Sequence, residues 1–224
     1  MSSLITLALD ASTYVGDVAL LEGERVLADE TTAMKDAHHE RLMPAVVAAL
    51  ARAGKGVDEV DRVVCGAGPG SFTSLRIAGS IAKGIAAGVG VPLYAVPSMA
   101  LVVGGASLPM GRYLAAVDAL RGEYYIGLYH VNSTGGILEI ERARLIPADA
   151  VESVAREFDA RIVSPTALPH AIHSNPRASA VGRLTAWIEA AGPVDLGAWE
   201  PSYGRLAEAQ VKWETAHGRP LPTG

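Results

Sequence analysis

Two strand ends in this chain carry the same phrase in the same place, and that repeat limits the folds open to it. Ala8-Leu-Asp10-Ala11 closes a nearly all-apolar run, Leu4 to Leu9, and Ala116-Val-Asp118-Ala119 closes another that opens at Tyr113. Runs of this kind suit strands covered on both faces. Three identities in four positions, with Leu9 answering to Val117, are weak alone; the like order of elements after each phrase gives them weight. After the first, Asp17 to Leu21 and Arg25 to Glu30 flank Glu22-Gly23-Glu24, a hairpin signal. A helix is expected from about Asp36 to Ala53, stopped by Gly54, with a kink or a short separate first turn at Pro44. A strand at Arg62 to Cys65, a helix at about Thr73 to Ala87 and a short strand at Leu93 to Val96 complete the half. After the second phrase come strands Tyr124 to Val131 and Ile137 to Leu145 around the turn Ser133 to Gly136. Then come a helix from Pro147 to about Phe158, a strand at Arg161 to Val163 and a helix from Asn175-Pro176 to Ala190.

Each half thus reads as three strands, helix, strand, helix. This order predicts an α/β protein with two ribonuclease-H-like lobes of mixed sheet plus helices, the actin-like ATPase (ASKHA) fold. The expected lobes are residues 1–105 and 106–224, the second a degenerate copy. Chain breakers cluster from Gly104 to Gly111 at the boundary. The tail from Trp199 is less regular, with Arg205 to Glu214 a candidate helix, and packing back on the first lobe is one arrangement for it.

Composition narrows the function classes. With 224 residues, half of them hydrophobic and 19% charged, the chain can bury one sizeable core or two small ones. A net charge of −5 lacks the electrostatic footprint that holds a polyanion unaided, so any RNA would have to be held mainly by the positive charge of another subunit. The single cysteine, Cys65, excludes an intrachain disulfide and a thiolate zinc cluster, and its apolar run predicts burial. No basic leader precedes an apolar core and no window reaches about 18 uninterrupted apolar residues, so a cytoplasmic protein without membrane contact is expected.

The most informative segment is Gly66-Ala-Gly68-Pro-Gly70-Ser71-Phe-Thr73, between a strand and a helix. Glycines permit close backbone approach, and free amides at a helix start can hold an anion. No lysine follows the last glycine as in a Walker loop, and Pro69 breaks the dinucleotide fingerprint. A tight turn with Thr73 as N-cap and an anion site are both open on these residues.

From Ser74 to Ala87 the next helix carries only two charges, Arg76 and Lys83. Ile77, Ile81 and Ile85 form one stripe; Ala78, Gly79, Ala82 and Ala86 form another almost without bulk. A helix apolar nearly all round must be covered nearly all round. One face suits its own sheet; the other needs either the helix near Leu42 to Ala53 or a second chain.

Gly68-Pro-Gly-Ser-Phe-Thr73 with Leu75-Arg-Ile77 resembles the signature of the TsaB (YeaZ) family, with Ser74 where a glycine is usual. Leu9-Asp-Ala-Ser-Thr13, His39-Glu-Arg-Leu-Met-Pro44 and Asp118-Ala-Leu-Arg-Gly-Glu-Tyr124 are similar to further family segments, all within residues 1–125. The resemblance implies a partner subunit of the complex that forms N6-threonylcarbamoyladenosine at position 37 of ANN-decoding tRNAs. The implied partners are a TsaD-like catalytic homologue and a TsaE-like ATPase, with a homodimer when alone. The implied interface uses the two first-lobe helices, at His39, Arg41, Met43, Val47, Ser74, Ile77, Ala78, Ile81, Ala82 and Ile85.

The residues themselves argue against catalysis and against a resident cofactor. In an actin-type ATPase Asp10 would face a metal-bound water, with Ser12 and Thr13 toward phosphate, but Ala11 stands where such loops favour glycine. Leu120 is bulky where a second loop must approach phosphate, and no later Gly-Gly pair comes after Gly136. Asp10, Ser12, Thr13, Gly68, Gly70 and Ser71 are therefore assigned as a vestigial anion site. Adjacent His38 and His39 point about 100° apart and cannot share a metal as two helical histidines four apart do. His170 and His173 lie amid loop chemistry. An Asp10–Asp118 acid/base pair across the cleft, a small-molecule kinase or ATPase, and a metallopeptidase are the weighed alternatives.

Overall fold

The computed structural model describes residues 3–34 and 40–204. Strands β1 (Ile5–Asp10), β2 (Val15–Glu22), β3 (Arg25–Ala33), β4 (Arg62–Gly66) and β5 (Leu93–Val96) form one sheet in the order β3-β2-β1-β4-β5. Strands β6 (Gly111–Asp118), β7 (Glu123–Val131), β8 (Ile137–Pro147), β9 (Arg161–Ser164) and β10 (Ile172–His173) form the second, in the order β10-β9-β6-β7-β8. The two orders are the same. In each, the first three strands are antiparallel and the last two join in parallel. That shared topology is the duplicated unit of the actin-like fold.

Period-two side-chain alternation makes each central strand serve two cores. Leu7, Leu9, Val18, Leu20, Val63 and Cys65 face helices α1 (Leu42–Ala53) and α2 (Phe72–Val89). Ala8, Ala19, Leu21 and Val64 face the other way, into a layer shared with Tyr113, Ala115, Tyr129 and Val131 of the second sheet. Helix α3 (Ser98–Gly104) and the 3-10 turn Ala178–Arg183 fill that layer. Leu114, Ala116, Ile126 and Leu128 close a third core under α4 (Val151–Glu157). Cys65 is fully buried, and burial pushes its thiol well above the usual range.

Several expectations shift in detail. Pro44 does not kink α1: with Arg41 as N-cap it is the third helical residue, where its missing N–H is one of the first-turn donors without an intrahelical partner. The expected helix from Asn175 to Ala190 is instead the 3-10 turn Ala178–Arg183 followed by α5 (Thr185–Ala191). Helix α3 is too short and too uniformly apolar to leave a periodic signal. The candidate helix Arg205 to Glu214 and residues 35–39, including His38 and His39, lie outside the described residues.

Two sets of contacts tie the chain's late segments to the first sheet. Asp17, fully buried on β2, accepts the Ala178 N–H at 2.6 Å and sits 3.1 Å from the Arg177 guanidinium. Arg177 also reaches Asp29 on β3 at 2.5 Å. Further on, Val194 N–H donates to Leu93 O at 2.8 Å and Ser202 N–H to Ala67 O at 2.7 Å. Lys83 Nζ donates to Trp199 O at 3.0 Å, so residues 194–204 run as a strap along α2.

Burial raises the Asp17 carboxyl to about 7, against the help of the Ala178 amide and Arg177. Between its unfolded value of 3.8 and about 7 the folded chain holds a proton that the unfolded chain has released. This group's stability contribution is therefore complete below the lower value and is lost as pH rises through the upper one. Urea midpoints are expected to fall between about pH 4 and 7 more steeply in the native chain than in Asp17→Asn. Arg177→Met is expected to cost about 2 kcal/mol at alkaline pH and less at about pH 5, where a proton takes over from the guanidinium.

Candidate functional site

The carboxyl-terminal ends of β1 and β6 face each other across a cleft of about 400 Å³. The turn after β1, the glycine-rich loop between β4 and α2, and the β6–β7 hairpin form its walls. Ser12, Thr13, Gly70, Ser71 and Asp118 line it, as the sequence places them, together with Tyr14, Phe72, Leu120, Tyr125 and Tyr203.

Asp10 does not. Its carboxylate is fully buried behind the wall, where Oδ1 accepts the Ser12 N–H at 2.9 Å and the Ser12 hydroxyl at 2.8 Å. Oδ2 accepts the Ser98 hydroxyl at 2.5 Å. Burial raises its pKa, and these donors oppose the rise. The Asp10–Asp118 pair weighed as an alternative is therefore not formed: Asp10 caps its own turn and braces α3, and its cross-strand neighbour is Asp17. Gly66 is a requirement of that carboxylate, because a Cβ there would collide with Oδ2.

The glycine-rich loop is similarly engaged. Ala67 N–H donates to Val96 O at 2.8 Å, Gly68 N–H to Ser98 Oγ at 2.9 Å, and Ser71 N–H to Ser12 O at 2.7 Å. Gly68 has φ +86°, a conformation that disfavours side chains, and any Cβ would strike Ser202 O of the strap. A Cβ on Gly70 would strike the Ser12 backbone. Ser71 rather than Thr73 is the N-cap of α2, and it makes no side-chain cap bond; its hydroxyl lies 3.1 Å from that of Ser74. Of the amides offered by sequence for anion binding, those of Ser12, Gly68 and Ser71 hold the protein together.

In the second loop, Asp118 Oδ1 accepts the Leu120 N–H at 2.7 Å. Leu120, Arg121 and Gly122 come next with φ of 62°, 58° and 76°. Two non-glycine residues in the left-handed region cost on the order of 1 kcal/mol each, and the result presents Leu120, 58% exposed, at the cleft. His170 and His173 are exposed.

The surface expected for a partner divides in two. Ser74, Ala78 and Ala82 are buried in the chain's own core, because small side chains let α2 lie close on its sheet. That part of the expected interface is corrected. Arg41, Met43 and Val47 are exposed on α1, and Ile77, Ile81 and Ile85 are half-buried. His39 lies outside the described residues. Asp17, Arg177, Ser98 and the strap have no signal in the sequence. Nothing local marks them, since each acts on a partner at least 30 residues away.

Two like-ordered sheets around an aromatic cleft, with the first strand-end loop turned to internal hydrogen bonds, define a protein of the actin-like fold. By its similarity to a Bacillus subtilis relative over nearly the whole of both chains, this chain belongs to the TsaB (YeaZ) family of tRNA threonylcarbamoyladenosine biosynthesis proteins. Residues 25–207 match the family model described as TsaD, tRNA N6-adenosine threonylcarbamoyltransferase. The tRNA threonylcarbamoyladenosine biosynthesis protein TsaB of Bacillus subtilis is 32% identical over 227 residues, covering 92% of this chain and 96% of that one. The Escherichia coli protein of the same name is 33% identical over 145 residues, 60% of this chain and 62% of its own. The solved structure of YeaZ from Pseudomonas aeruginosa superposes with a TM-score of 0.73 at 26% identity, over 89% of this chain and 99% of that one.

Gly70→Ala tests the loop-to-loop contact. It is expected to lower stability by about 2 kcal/mol, read by thermal or urea unfolding, because the colliding atoms are backbone and cannot step aside.

Proposed function

We propose that this chain is the non-catalytic partner subunit of the complex that forms N6-threonylcarbamoyladenosine at position 37 of ANN-decoding tRNAs. It pairs through α1 and α2 with a TsaD-like catalytic homologue, works with a TsaE-like ATPase in the cytoplasm, and meets tRNA through that assembly. Alone, it pairs with a second copy by the same surface. Family membership supports the pathway.

One observation supports the surface. Helix α2 contains glycines at 79, 84 and 88, and a glycine inside a helix costs about 1 kcal/mol relative to alanine. Gly79 has an internal reason, since a Cβ there would press on Pro201 of the strap at 3.1 Å. Gly84 has none: a Cβ would meet nothing within 4 Å, and the same holds at Gly88. At about 100° per residue, Ser80, Gly84 and Gly88 share the outward arc with Ile77 and Ile81. On α1, Met43 is 40% exposed and Val47 56% exposed. A bare backbone ridge flanked by aliphatic side chains suits a second helix at close range, where dispersion and burial replace the missing side chains.

The non-catalytic reading is supported by the sealed Asp10 and by Leu120 in the cleft. A small-molecule kinase or ATPase would need the Asp10 carboxylate free and the Leu120 space open.

Pulldown and sedimentation of the purified chain with its catalytic homologue test the assignment. Ile81→Arg is expected to abolish pairing while circular dichroism stays native. Gly84→Ala is expected to raise the chain's own stability by about 0.5–1 kcal/mol while weakening pairing by roughly tenfold. Unchanged pairing in both variants would remove this surface from consideration, and brisk ATP turnover by the chain alone would remove the non-catalytic reading.

A further inference from the structure

The cleft between the two sheets is of ligand size, and its chemistry is the reverse of a phosphate site. At about 400 Å³ it falls in the range of small-molecule pockets, which are mostly apolar with a few placed polar groups. Tyr14, Phe72, Tyr125 and Tyr203 bring four aromatic rings to its walls. Among the described residues that line it there is one ionisable acid, Asp118, and no lysine, arginine or histidine. Asp118 is exposed at the end of β6; Oδ1 is occupied by the Leu120 amide. The cation Arg76 does not line the cleft but touches two of its rings from behind. Its guanidinium lies 5.2 Å from the centre of the Phe72 ring and is hydrogen-bonded to the Tyr203 hydroxyl, so a ligand cation is left to the rings of Tyr14 and Tyr125.

Four backbone donors that could attract an anion are taken. Ser12 N–H serves Asp10, Ser71 N–H serves Ser12 O, Gly68 N–H serves Ser98, and Leu120 N–H serves Asp118 itself. What draws the other way is the amino-terminal turn of α2, which carries about half a positive charge against the full negative charge of Asp118. Ring faces are themselves electronegative and favour a cation laid against them. Leu120, at the start of the tight turn closed by the Glu123 N–H on Leu120 O, adds an aliphatic wall.

We propose that this cleft binds a small organic cation, an amine on an aromatic or aliphatic body, with the ammonium on Asp118 and the body among the tyrosine and phenylalanine rings. The site is separate from the α1–α2 surface, and neither assignment depends on the other.

The test uses the full chain and two probes of nearly equal shape and opposite charge, phenethylamine and 3-phenylpropionate, followed by ligand-observed NMR. The amine is expected to bind in the low millimolar range, with the propionate at least fivefold weaker. Asp118→Asn keeps the acceptor for the Leu120 amide, so the hairpin is retained. It is expected to weaken the amine at least fivefold and leave the propionate unchanged or improved. Tyr203→Ala, which removes a ring and no charge, is expected to weaken the amine as well. Equal or tighter binding of the propionate, an amine affinity indifferent to Asp118→Asn, or no amine signal at about 10 mM each overturns the proposal.

Discussion

A carboxylate sealed between two sheets organises this molecule. Asp17 is shut away from solvent, so folding must bring it a donor, and the chain supplies Ala178 N–H, 161 residues away, and the neighbouring Arg177. Meeting that demand fixes the 3-10 turn Ala178–Arg183 against β2 and completes the apolar layer shared by both sheets. The cost of burying the charge is not fully met: Asp17 Oδ2 has the Arg177 charge nearby but no hydrogen bond. The proton affinity of Asp17 rises accordingly, which ties the seam between the sheets to pH.

Asp10, directly across the strand pair from Asp17, follows the same physics to a different end. Its oxygens accept three donors from Ser12 and Ser98, so it can remain inside. A residue that in an active actin-like cleft would look toward the ligand here holds a turn and a helix in place. The glycine-rich loop is engaged in the same way: its close approaches are to Ser12 and Ser202, the protein's own backbone. The cleft that remains is lined by rings and one acid.

Helix α2 links the fold to the proposed assembly. Its buried side is small so that it can lie tightly on β4, its Gly79 flank is taken by the strap, and the remaining arc is left bare at Gly84 and Gly88. Three neighbours on three sides explain why so long a helix carries so few charges. Two are present in the chain; the third is the partner we propose.

Much of the architecture was legible in the sequence because period and punctuation are local properties. Apolar runs marked the central strands, Glu22-Gly23-Glu24 and Ser133 to Gly136 marked the hairpins, and the repeated order of elements pointed to the topology that both sheets share. The loop signature identified the family, because glycines at such spacing answer to backbone collisions that few arrangements share. What sequence could not decide was direction. Periodicity showed two stripes on α2 without saying that the alanines turn inward, and Asp10 at a strand end looks the same whether it faces a cleft or Ser98. Those outcomes depend on which distant groups arrive to satisfy a buried charge or fill a gap, and only the closed tertiary structure brings Ser98, Arg177 and Pro201 to their places.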